Sequence, residues 1–132
     1  MLAVLLAAFT SCRGGGTDEA DAVVRRQRVV FDAVPGRTPS SFSVDGPLLG
    51  NGSMGVALGG AGDSLSFYLS RNDFWRLRSA HDEGYPLLLG RVELCMPGLA
   101  GASYRVEQVI ADGETIGHFE RGGLRVRCEA LV

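Results

Sequence analysis

Three glycines at phosphate-loop spacing, Gly50, Gly52 and Gly55, stand in the stretch LLGNGSMGVALGG (residues 48–60). A G-x-G-x-x-G run cradles a pyrophosphate when a strand enters it and a helix leaves it, because free N–H groups at the helix start then face the anion. Here Val56-Ala57-Leu58 is followed by Gly59-Gly60-Ala61-Gly62-Asp63 and then by SLSFYLS, a strand, turn, strand pattern without a helix. Asp73 stands near the distance of a ribose-binding acid, but no βαβ unit surrounds it. These glycines do not predict a nucleotide, and no other cofactor is implied.

A second concentration of chemistry lies in SRNDFWRLRSAHDEGYP (residues 70–86), with the only tryptophan, Trp75, the Asn72-Asp73 pair, His81-Asp82-Glu83 and Tyr85. Saccharide recognition needs flat aromatic faces for sugar C–H groups and planar amides or carboxylates for hydroxyls; this stretch supplies both. Asn72, Asp73 and Trp75 are the candidate rim residues, expected on a loop that leaves a strand. The competing expectation is that Phe74 and Trp75 plug the end of the fold while the charges are solvated. Glycoside hydrolysis places two acids about 5 to 9.5 Å apart across the scissile bond, and nothing in the spacing of Asp73, Asp82 and Glu83 fixes such a pair. No residue is therefore assigned a catalytic role. Gly52-Ser53-Met54-Gly55 lacks the G-x-S-x-G elbow, and two distant histidines with two lone cysteines imply no metal.

The elements that would carry these residues are strands. Short apolar runs alternate with glycine or proline punctuation, predicting strands over 27–33, 54–58, 64–70, 89–96, 103–110, 114–120 and 124–131. Seven strands suit an all-β sandwich. TIGHFE and LRVRCEAL flank Arg121-Gly122-Gly123, expected as a three-residue hairpin loop, with Leu124, Val126, Cys128 and Ala130 on the buried face and Arg125, Arg127 and Glu129 on the wet one. His118 is in phase with Ile116 and Glu120 and is expected as a tucked or edge histidine without chemistry. Strand phase sets Cys95 and Cys128 on opposite faces, which argues against a disulfide unless they belong to different layers.

The 132 residues, 45% hydrophobic, suffice for one domain. A net charge of −2 excludes the basic field of a nucleic-acid binder, and all thirteen cations are arginines, a composition signature from which no function follows. At the start, MLAVLLAAFTSC sets an apolar run from Leu2 to Phe9 before Cys12 and the abrupt RGGGTDEAD. This predicts an export signal; Phe9-Thr10-Ser11-Cys12 resembles a bacterial lipoprotein box, although no positive residue precedes the apolar run. The expected division is a signal peptide with lipobox over 1–12, lipid on Cys12, a flexible tether over 13–25 and the β-sandwich over 26–132. Membrane association would run through the lipid alone, at the periplasmic or cell-surface side.

The order PLLGNGSMGVALGG, LSFYLSRNDFW, LLLGRVELCMPG and ASYRVEQVIADGETIGHFERGGLRVRCEALV resembles the N-terminal β-domain of glycoside hydrolase family 95 proteins, over residues 28–132. That resemblance implies a β-sandwich of the N-terminal super-sandwich type, ahead of an (α/α)6 barrel that carries the family's catalytic residues. It gives Gly50, Asn51, Gly52 and Gly55 the role of a structural turn, with Asn51 bonding backbone groups. Family fucosidases show Leu-Asn-Glu-x-x-Leu-Trp where this chain has Leu69-Ser70-Arg71-Asn72-Asp73-Phe74-Trp75, a departure that points away from fucosides. The barrel is absent, and Val132 falls inside an alternating strand pattern, which suggests a fragment. The expectation is a non-catalytic domain of an inverting, exported glycoside hydrolase; a free-standing carbohydrate-binding or structural surface module is the alternative.

Overall fold

The computed structural model of the chain describes residues 17–40, 43–78 and 81–132. It is an all-β sandwich of two antiparallel four-stranded sheets. The strands are β1 (Arg28–Phe31), β2 (Leu48–Gly50), β3 (Met54–Ala61), β4 (Ser64–Arg78), β5 (His81–Cys95), β6 (Ser103–Val109), β7 (Glu114–Arg121) and β8 (Leu124–Leu131). One sheet has the order β1-β6-β7-β8 and the other β2-β3-β4-β5. Each is a meander of neighbouring hairpins, except that β1 crosses to pair with β6.

Period-two alternation builds the core. On one sheet Leu58 pairs with Phe67 and Gly60 with Leu65; on the other, Tyr104 pairs with Phe119 and Phe119 with Val126, so each row points its apolar members inward. Leu58, Leu65, Tyr104, Val106 and Phe119 form the buried cluster, joined by Leu99 from a single 3-10 turn at Pro97–Leu99. The Tyr104 and Phe119 rings meet tilted, with centroids 5.6 Å apart.

The outer face of the β6-β7-β8 meander is charged and wet. Arg105, His118 and Arg127 lie in one row across it, and Glu107 accepts from Arg105 at 2.8 Å and pairs with Arg28 at 3.8 Å. The Arg105 guanidinium holds the Glu107 carboxyl below the usual carboxylate range, so this acid is tuned away from proton donation. His118, expected as a tucked or edge histidine, is instead exposed on β7, an interior strand of its sheet.

Several sequence expectations are corrected. The 13–25 stretch, expected as a tether, contains an α-helix, α1 (Thr17–Val24), in which the Asp21 carboxylate accepts from Arg25 one turn on at 2.7 Å. The last hairpin has a two-residue turn: Arg121 pairs with Leu124, and Gly122 and Gly123 both take positive φ (55° and 84°), the combination a type I′ turn requires. The three-residue β2 adds an eighth strand. Residues 70–78 and 81–86, expected as a loop, belong to β4 and β5, each 15 residues long, which pair with each other as antiparallel neighbours. Cys12 and the export signal lie outside the described residues.

Candidate functional site

The two stretches that carried chemistry in the sequence meet at one place, the turn between β2 and β3. Gly50 pairs with Gly55 across it, and Gly52 takes φ +88° with open space where a Cβ would stand. Asn51 holds the turn from inside. Its Oδ1 accepts from the N–H groups of Ser53 (3.0 Å) and Met54 (2.9 Å) and from the Ser53 hydroxyl (3.3 Å), while its own N–H donates to the Met54 carbonyl at 3.2 Å. This is an Asx turn; the glycine pattern is spent on a hairpin and no N–H group is left facing an anion at a helix start.

Onto this turn packs an irregularity in β4. The register with β5 slips between Leu69 and Ser70 and again between Ser70 and Trp75, so residues 71–74 have no β5 partner, although Arg71 still pairs with Met54 of β3. Asn72 ties them down: its N–H donates to the Ser53 carbonyl at 3.0 Å and its Nδ2 to the Gly52 carbonyl at 2.8 Å. The Trp75 indole N–H in turn donates to the Asn72 carbonyl at 2.5 Å. Alongside, Arg71 and Asp73 form an ion pair at 2.8 Å with both side chains exposed.

The consequence is an indole whose polar edge is engaged by its own strand and whose ring is open to solvent. Trp75 is 53% exposed and Phe74 41%. These rings do not plug the end of the sandwich, as one reading of the sequence had it. Of the rim candidates, Asn72 is a clamp between the β4 irregularity and the β2–β3 turn, Asp73 is an exposed carboxylate paired to Arg71, and Trp75 is a flat apolar platform. The side chains of His81, Asp82 and Glu83 lie outside the described residues.

Two cavities were not legible in the sequence. One, of about 410 Å³, is lined by Pro39, Val44, Leu48, Ala57, Tyr68 and Leu88. Pro86, the ladder partner of Trp75, also borders it. The other, of about 420 Å³, is a mouth between the sheets bordered by Phe67, Leu69, Val92, Ala130 and Leu131. Both depend on how distant strands overlay, and no local pattern encodes that.

Cys95 and Cys128 are free, one exposed on β5 and the other half-buried on β8 in the opposite sheet. Among the described residues no group of three or more His, Cys, Asp or Glu is placed to hold a metal ion, and no helix is long and apolar enough to cross a membrane. Compared with protein-family models, curated proteins and solved structures, the chain matches none.

Proposed function

We propose that this chain is the non-catalytic β-sandwich module of an exported glycoside hydrolase 95-like enzyme that cleaves glycosidic bonds in an oligosaccharide or polysaccharide by inversion. In this reading the catalytic residues belong to a barrel outside these 132 residues, and Cys12 carries the lipid that anchors the module at the periplasmic or cell-surface side. The module presents Trp75 and the neighbouring Asp73 at the rim of the saccharide site, held there by Asn72.

The observation that carries the reading is the solvent-open Trp75 ring, fixed through its indole N–H to Asn72 and through Asn72 to the Asn51 turn. An aromatic face already held in place stacks on a sugar with little ordering cost, and an adjacent exposed carboxylate offers acceptors to ring hydroxyls. The same observation supports the free-standing carbohydrate-binding module, which differs only in lacking the barrel.

Trp75 is the only tryptophan, so intrinsic fluorescence reports on this ring alone. Titration with neutral plant and bacterial oligosaccharides is expected to shift or quench the emission saturably, and in calorimetric titration Trp75→Phe is expected to bind more weakly while its melting temperature stays in place. A fluorescence unmoved by every sugar, together with a large stability loss in Trp75→Phe, would instead make the ring structural. Turnover of an aryl glycoside by the chain alone would overturn the non-catalytic assignment.

A further inference from the structure

Among the described residues strand β8 is a free edge of its sheet. In a two-residue hairpin the residues flanking the turn, here Arg121 and Leu124, form a hydrogen-bonded pair, and such pairs recur at every second position. The main-chain groups of Leu124, Val126, Cys128 and Ala130 therefore point to β7, and those of Arg125, Arg127, Glu129 and Leu131 point outward from the edge. The side chains alternate in the same rhythm, with Val126, Cys128 and Ala130 half-buried on the inner face. Beside this edge Val92 (54% exposed) and Leu131 (73%) border the mouth between the sheets, and Leu94 on β5 is 41% exposed. An unpaired edge flanked by uncovered apolar side chains is a template for another strand.

We infer that β8 pairs antiparallel with β8 of a second copy, about a two-fold axis through Cys128. The charges on the outer face choose both the partner and the register. An axis through Arg127 sets two guanidiniums opposite each other, an axis through Glu129 sets two carboxylates opposite, and an axis through Val126 sets Arg125 opposite Arg127. The axis through Cys128 alone gives a long overlap without like charges facing: Arg127 lies opposite Glu129 of the second copy, twice by symmetry, and Val126 lies opposite Ala130. Within one chain Arg127 and Glu129 already form an ion pair, so the dimer exchanges partners without stranding a charge.

The backbone agrees with this register. Arg127 and Glu129 carry outward-facing N–H and C=O groups and become hydrogen-bonded pairs across the axis. Cys128 then meets its symmetry mate as a non-hydrogen-bonded pair, with Cα atoms about 4.5 Å apart, inside the range of about 4.4–6.8 Å that a disulfide spans. The merged sheet has eight strands, and it brings the two β5 edges together so that Val92 and Leu94 of each copy share their cover.

Sedimentation velocity of the chain over a concentration series tests this, with the mass expected to rise from 14.0 kDa toward twice that value. Glu129→Arg and Arg127→Glu should each weaken self-association by about tenfold or more, and the double reversal should restore it. Under diamide, the two Cys128 thiols each give up a hydrogen to the azo bond, which becomes a hydrazine, and join as a disulfide-linked dimer. Cys128→Ser should abolish that product and Cys95→Ser should not. A chain monomeric throughout the series, a dimer indifferent to Glu129→Arg, or a double reversal that stays apart overturns the inference. Trp75→Phe leaves this dimer unchanged, which separates its fate from that of the saccharide reading.

Discussion

The side-chain amide of Asn72 donates to the carbonyl oxygen of Gly52 at 2.8 Å, joining a bulge in β4 to the turn between β2 and β3. Neither segment has this geometry alone. Asn51 shapes the turn so that the Gly52 and Ser53 carbonyls point outward, and Asn72 takes both, one through its side chain and one through its backbone N–H.

Asn51→Ala should therefore cost more than an exposed substitution usually does. It leaves two turn N–H groups without their acceptor, a loss of about 1–2 kcal/mol in urea unfolding. Asn51→Asp keeps the acceptor oxygen and should lose much less. Equal losses in the two variants would show that the turn does not depend on that oxygen.

Tyr104 gives a pH signature. It is buried in the core, and among the described residues its hydroxyl has no hydrogen-bond partner. Burial pushes its pKa from the ordinary 10 up to about 12. Between those values the unfolded chain releases the phenol proton while the folded chain retains it, so the unfolded state is favoured as pH rises. Stability owed to neutral Tyr104 is whole below pH 10 and is lost toward pH 12, on the order of 2 kcal/mol. Tyr104→Phe should be neutral or stabilising at pH 7 and should flatten this alkaline fall in paired denaturation curves.

Core packing sets the largest single-residue effect. Phe119 is 1% exposed and lies against Tyr104 and the inner face of the opposite sheet. Phe119→Ala is expected to destabilise by about 3–5 kcal/mol, measured by chemical denaturation. A loss below about 1 kcal/mol would mean that the two sheets are not packed on this ring.

The two described thiols should separate kinetically. Cys95 is exposed, whereas burial raises the Cys128 thiol above its usual value and lowers its thiolate fraction. An aromatic disulfide reagent should label Cys95 first and Cys128 slowly, and Cys128→Ser should delete the slow phase. A single fast phase for both would place Cys128 in solvent.

What the sequence disclosed follows the physics of each element. The hairpin at residues 114–131 was legible because alternation and a Gly-Gly turn agree, and only the loop length differed. The helix at Thr17–Val24 was hidden because eight residues rich in acid and alanine after a glycine run look like a solvated stem. The long β4–β5 hairpin was missed because Asn72-Asp73 and Gly84-Tyr85-Pro86 break the alternation, and here ladder pairing overrides local propensity. Asn72, Asp73 and Trp75 could be singled out by type, but that Asn72 would reach Gly52 is a matter of register between strands.

The crossing of β1 sets an order of assembly. Every other pairing joins neighbours along the chain, whereas Phe31 must find Val106 about 75 positions away, a closure that costs on the order of 4 kcal/mol in chain entropy. The hairpins should therefore zip first, and β1 should be the last strand to dock. Once folded, it should also be the first to open, with its amides the earliest in this sheet to exchange their hydrogens for deuterium.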